Sequence, residues 1–203
     1  MGIVAGFRHV FGMMELPFPG AERIAPLIGR PLLECFQALG CGPASPQAAG
    51  HFQEFFIARG FAEGRLYDGV LDCLAGLRMD GWGLALASAK PEGVVRLVAQ
   101  DLGLLPYLDG CYGCAPSDVN PDKRLIVADA LRGLAWDPAC TVFIGDRDQD
   151  RNAAAASGLP FLAAAWGFGS PDEHIGAFAI ADSPLHLALL LARHFPGGPS
   201  SFR

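Results

Sequence analysis

The order of apolar and polar positions divides the chain into two stretches of different texture. Through the first 66 residues the apolar positions recur at helical spacing: Ile3, Phe7, Val10, Phe11 and Met14, then Leu32, Leu33, Phe36 and Leu39 behind Pro31. Ser45-Pro46 reads as the N-cap and first turn of a further helix, with Phe52, Phe55 and Phe56 as its apolar stripe and Gly60 as its end. This stretch predicts a small helical bundle without a strand. From Tyr67 onward helices and short apolar runs alternate. A helix over Val70, Leu71, Leu74 and Leu77 leads to a strand at 84–87, and Pro91 opens a helix through Val94, Val95, Val98 and Leu102. A strand near 110–112 follows, then a helix through Leu125, Ile126, Ala128 and Leu131, a strand at 141–144 and an alanine-rich helix at 150–157. Strands at 161–165 and 178–180 and a helix at 184–194 complete the pattern, and the Gly-Pro-Ser-rich residues beyond are expected to fray. Alternation of this kind predicts an α/β fold with a parallel sheet covered on both faces.

Composition narrows the function classes. A length of 203 residues with 51% hydrophobic content suits one domain with a modest appendage. A net charge of −6 offers no basic surface for nucleic acid or membrane, and no apolar stretch reaches the length of a membrane span. With no basic leader ahead of an apolar run, a cytoplasmic protein is expected. Cys111 and Cys114 form a lone C-x-x-C without a second pair at zinc-site spacing, so the six cysteines are expected to be free thiols. None of the five histidines stands in a Ser or Cys triad pattern. Of 15 basic residues only Lys90 and Lys123 are lysine, which asks what a compact ammonium provides at those two places.

In open α/β sheets, ligands bind beyond the carboxyl ends of the strands. Ser88, Ala89 and Lys90 follow one expected strand, Lys123 starts a helix, and Asp146 follows another strand with Asp150 four residues on. Carboxylates can hold Mg²⁺, lysine can neutralise a phosphate, and a serine hydroxyl with neighbouring backbone N–H groups can bind its remaining oxygens. Taken singly, Asp146 could cap the next helix and Ser88 could be an ordinary loop serine. A lysine in the first turn of a helix is disfavoured by the helix dipole, which favours a role for Lys123 in the site.

Gly145-Asp146-Arg147-Asp148-Gln149-Asp150 resembles the fourth motif, G-D-x-x-x-D, of the haloacid dehalogenase-like hydrolases. Ala87-Ser88-Ala89-Lys90-Pro91 resembles their second motif, and Lys123 falls at the third-motif lysine. Ile28-Gly29-Arg30-Pro31-Leu32, Tyr67-Asp68-Gly69-Val70 and Trp166-Gly167-Phe168-Gly169-Ser170 extend the likeness to the phosphoglycolate phosphatase and 5′-nucleotidase-like branch. The resemblance implies a helical cap formed by residues 1–66 over a doubly wound, Rossmann-like α/β hydrolase core formed by 67–203. It also implies an Mg²⁺-dependent phosphatase acting on a small phosphorylated substrate, as a monomer or homodimer. Asp146 would ligate the metal, and Asp150 would support the metal shell or orient Lys123. Ser88 and Lys123 would be catalytic, binding the transferring phosphoryl group together with Ala89 and with Lys90, which either joins them or lines the entrance.

One motif does not follow. The family's nucleophile and general acid/base lie in D-x-D on a first core strand ahead of the cap, and residues 1–67 contain no aspartate. The expectation is therefore a core whose first strand is absent, leaving two unpaired sheet edges. The alternative to an aspartyl-phosphate enzyme is a non-catalytic module that binds phosphate and Mg²⁺. Arg147 is expected at the surface or beside Asp148, and the phenylalanine stripe of the helical stretch in its core.

Overall fold

The computed structural model of the protein describes residues 2–60, 64–118 and 120–196. The tail at 197–201, expected to fray, lies outside them. Four helices come first: α1 (Gly2–Met13), α2 (Ala21–Ile24), α3 (Leu32–Ala38) and α4 (Ser45–Phe55), the last continuing into a π-helical turn over Phe56–Gly60. Phe7, Phe36 and Phe52 meet at their centre, with ring centroids of Phe7 lying 4.9 Å from Phe36 and 5.0 Å from Phe52. Val10, Phe11, Ile24 and Cys35 close this core, whose buried side chains, among the described residues, come from the helical stretch. Ser45 does not cap α4 as expected. It is the helix's first residue, and its buried hydroxyl donates to the Gly42 carbonyl at 2.7 Å.

The remainder alternates as predicted: α5 (Val70–Met79), β1 (Ala85–Pro91), α6 (Glu92–Asp101), β2 (Gly110–Cys114), α7 (Lys123–Leu134), β3 (Phe143–Gly145), α8 (Asp148–Ala156), β4 (Phe161–Ala164), β5 (Ala179–Ala181) and α9 (Pro184–His194). All strand pairs are parallel. Alternation along β4 shows how both faces are covered. Leu162 packs with Leu77, Leu187 and Leu191 of α5 and α9, whereas Phe161 and Ala163 pack with Val127 of α7 and Ala153 and Ala154 of α8. Period-2 geometry requires this of a strand between two helical layers.

The described strands form two sheets, β1-β2 and β3-β4-β5. β4 has a partner on each side and all four of its residues are buried. β1 and β3 have one partner each, and none of the three residues of β3 is fully buried, Ile144 being 37% exposed. A cleft separates them. One end is a cavity of about 240 Å³ walled by Trp82, Leu84, Trp136, Val142 and Ile144, and the other, at the carboxyl ends of the strands, is a cavity of about 250 Å³ bordered by polar residues. Among the described residues no helix is long and apolar enough to cross a membrane, and no disulfide joins two of the cysteines.

Candidate active site

The β1-β2 ladder runs in register from Ala85 to Ala87 and resumes at Pro91 after an irregularity. Ser88, Ala89 and Lys90 occupy that break and line the polar cavity. A strand that leaves its ladder re-aims the residues concerned, here at a sheet's carboxyl edge. The Ser88 hydroxyl accepts the Lys90 backbone N–H at 3.3 Å, which leaves its own proton to donate into the cavity. Lys90 lines the cavity and is exposed. Protein atoms around it lower the pKa of its ammonium, as does the nearby charge of Lys123, while Asp146 acts in the opposite sense.

Lys123 opens α7, whose N-cap Asp122 accepts the Arg124 backbone N–H at 2.9 Å. The Lys123 ammonium pairs with Oδ1 of Asp150, a carboxylate only 3% exposed. Oδ2 of Asp150 accepts the backbone N–H groups of Asp146 and Arg147, each at 3.0 Å. Both oxygens of Asp150 are thus engaged, and the residue fixes the first turn of α8 and the lysine together. Asp146 accepts the Phe168 N–H through Oδ2 at 2.7 Å, and its carbonyl lies 3.1 Å from Nε2 of the buried His174. Two glycines make this packing possible: a Cβ at Gly145 would collide with the Asp150 side chain, and one at Gly167 with that of Asp146.

Arg147 departs from expectation. It is 4% exposed rather than at the surface, and its partner is not Asp148. Its guanidinium donates to the Phe168 carbonyl at 2.8 Å and to the Pro26 carbonyl of the helical stretch at 3.4 Å. Nε stands 3.1 Å from Oε2 of Glu173, off the hydrogen-bonding line, so charge rather than a shared proton couples them. Burial works to raise the pKa of Glu173, but N–H donors from Asp148 and Ser170, with Arg147 and Arg30 nearby, hold it below the ordinary glutamate value. Sequence reasoning missed Arg147, His174 and Glu173. Only the nearby glycine-rich run at 166–170 signalled tight packing there.

The wall opposite the strand ends comes from the helical stretch and includes Phe7, Leu27, Ile28, Phe52 and Phe56. Cys35 also lines it. Burial pushes its thiol up to about 11, and the S–H donates to the Leu27 carbonyl, so it is no nucleophile. Among the described residues no three His, Cys, Asp or Glu side chains gather as a self-sufficient metal cage. Mg²⁺ fits a sparser donor set, because it keeps several waters and takes one or two carboxylates with substrate phosphate. Asp146 supplies one such carboxylate at the cavity wall.

A model of the haloacid dehalogenase-like hydrolase family matches residues 15–158. The chain belongs to that family. The tyrosine-protein kinase PtkA of Mycobacterium tuberculosis is 32% identical over 171 residues, which span 84% of this chain and 59% of that protein. The chain thus spans about three-fifths of that relative's length. A 5′-nucleotidase of Pseudomonas aeruginosa is 30% identical over 176 residues, 85% of this chain and 79% of the enzyme. In fold the chain is similar to a predicted phosphatase from Clostridium acetobutylicum, with a TM-score of 0.88 at 23% identity, covering 95% of this chain and 91% of that one.

Proposed function

We propose that this haloacid dehalogenase-like chain carries the phosphate- and metal-binding part of an Mg²⁺-dependent phosphomonoester hydrolase, whose nucleophilic aspartate sits on a strand seated between β1 and β3. The observation that carries the reading is convergence: Ser88 and Lys90 at the ladder break within β1, Lys123 at the start of α7 and Asp146 after β3 border one cavity. Three separate segments bring a hydroxyl, two ammonium groups and a carboxylate to the edge where an α/β sheet binds ligands.

In this reading the Ser88 proton and the Ala89 backbone hold phosphoryl oxygens, Lys123 neutralises their charge, and Asp150 keeps Lys123 in position. Lys90 adds a second positive charge close by. Mg²⁺ held by Asp146 would supply further charge neutralisation at the same oxygens. Phosphoryl transfer depends mostly on such positioning and charge stabilisation. The attacking group would be a carboxylate at the carboxyl end of the strand between β1 and β3. The phosphoryl group would pass from the ester oxygen to that carboxylate, and then to water. The unpaired edges of β1 and β3, with a cleft between them whose far end is apolar, support a strand in that place. The helical stretch 1–66 acts as a cap over the site, admitting a small phosphorylated substrate.

A second reading is a module that binds phosphate and Mg²⁺ without turnover, which the same convergence of Ser88, Lys90, Lys123 and Asp146 would serve. Intact-mass and N-terminal peptide analysis of the protein from its natural source, combined with a phosphate-release assay in Mg²⁺, separates the two. Turnover by a polypeptide that carries Asp-x-Asp ahead of Met1 supports the enzyme. A mass equal to that of these 203 residues, with phosphate binding and no release, leaves the binding module. Failure to bind phosphate would exclude both.

A further inference from the structure

The cavity has two chemically different halves. On the side of β1, α7 and α8 it presents Ser88, Lys90, Lys123 and Asp146, groups suited to a phosphoryl oxygen. The helical side is built from rings and aliphatic chains. Phe56 lies with its ring nearly parallel to that of Phe52, with an interplanar angle of 13° and centroids 5.9 Å apart, and Phe52 in turn packs on Phe7. The polar groups that this side offers are largely committed. Gln53 donates its amide to the Asp118 carbonyl at 3.3 Å, and the Cys35 thiol is turned onto the Leu27 carbonyl. Among the described residues of the helical stretch, Arg30 is the one charged side chain that lines the cavity, and it is exposed.

A hydroxyl-rich alcohol entering this half would leave water without finding replacement hydrogen bonds, which is costly for each buried hydroxyl. An apolar ring would instead exchange water for phenylalanine faces, the arrangement that aromatic pairs favour. Size narrows the choice further. A volume of about 250 Å³ lies below the range typical of drug-sized ligands, room for a phosphoryl group with a single ring rather than a nucleoside.

Resting on the phosphate-binding reading above, we propose that the preferred ligands are small aryl phosphate monoesters, with the phosphate at Ser88 and Lys123 and the ring against Phe56. The test is calorimetric titration of the folded chain, in Mg²⁺, with inorganic phosphate, phenyl phosphate, glycerol 3-phosphate, phosphoglycolate and adenosine 5′-monophosphate. Phenyl phosphate should bind at least tenfold more tightly than each of the others. In the Phe56→Ser variant the ratio of phenyl phosphate to inorganic phosphate affinity should fall towards one, and Phe56→Leu should restore part of it, which separates a lost ring contact from a lost fold. Inorganic phosphate binding with no preference for phenyl phosphate, or with phosphoglycolate or the nucleotide ahead, would overturn the proposal and leave the phosphate site standing. No binding of inorganic phosphate would overturn both.

Discussion

Arg147 ties three separate segments together: the turn after α2 through Pro26, the loop after β4 through Phe168, and Glu173 beyond it. Because it stands between Asp146 and Asp150, it couples the position of the helical layer to the candidate metal loop. Arg147→Met keeps the bulk of the side chain and removes the charge, leaving Glu173 without its partner. Loss of one member of a largely buried ion pair costs about 3 kcal/mol. Urea denaturation of the variant should show a loss of that order, and a loss below about 0.5 kcal/mol would place Arg147 among the tolerant surface residues. This residue was illegible in the sequence for a definite reason. A charged side chain in a loop reads as solvated, and its two carbonyl partners lie 21 and 121 positions away. Asp146 and Asp150 were legible because their spacing is local: four residues across a strand end and one helical turn.

At the scale of elements, the site depends on where two helices begin. The Asp122 side chain receives the Arg124 N–H, so α7 starts with Lys123 already turned towards Asp150. Asp122→Ala should lower stability by about 1 kcal/mol, the usual cost of a lost N-cap. Thermal unfolding checks this, and an unchanged midpoint would show that tertiary contacts alone fix the start of α7. Helical periodicity made α1, α3 and the phenylalanine core legible, and α9 has the predicted bounds, 184–194. β1 was less so. An apolar run of four residues marks 84–87, but the strand resumes its ladder at Pro91, past the polar Ser88 and Lys90, because pairing with Cys114 of β2 holds it there. Pairing between distant strands leaves no local signature, and β3 is correspondingly displaced to Phe143–Gly145 from the apolar run at 141–144.

Over the whole molecule, the described strands divide into two sheets. Alternation predicted one parallel sheet covered on both faces. The structure has two parallel sheets facing one cleft. Native-state hydrogen exchange should follow this division. Amides of β4, paired on both sides, should be the best protected, whereas the cleft-side amides of β1 and β3 should exchange at least tenfold faster. Equal protection in all three strands would mean that the cleft is closed in solution. The central claim is that Ser88, Lys123 and Asp146 form one phosphate site. Its most direct measurement is calorimetric titration of inorganic phosphate into the chain, with and without Mg²⁺, for the wild type and for Ser88→Ala, Lys123→Met and Asp146→Asn. Mg²⁺ should tighten binding in the wild type, Ser88→Ala and Lys123→Met should each weaken it at least tenfold, and Asp146→Asn should abolish the Mg²⁺ effect. Phosphate binding that ignores Mg²⁺ and all three substitutions, or no binding at all, would contradict the account.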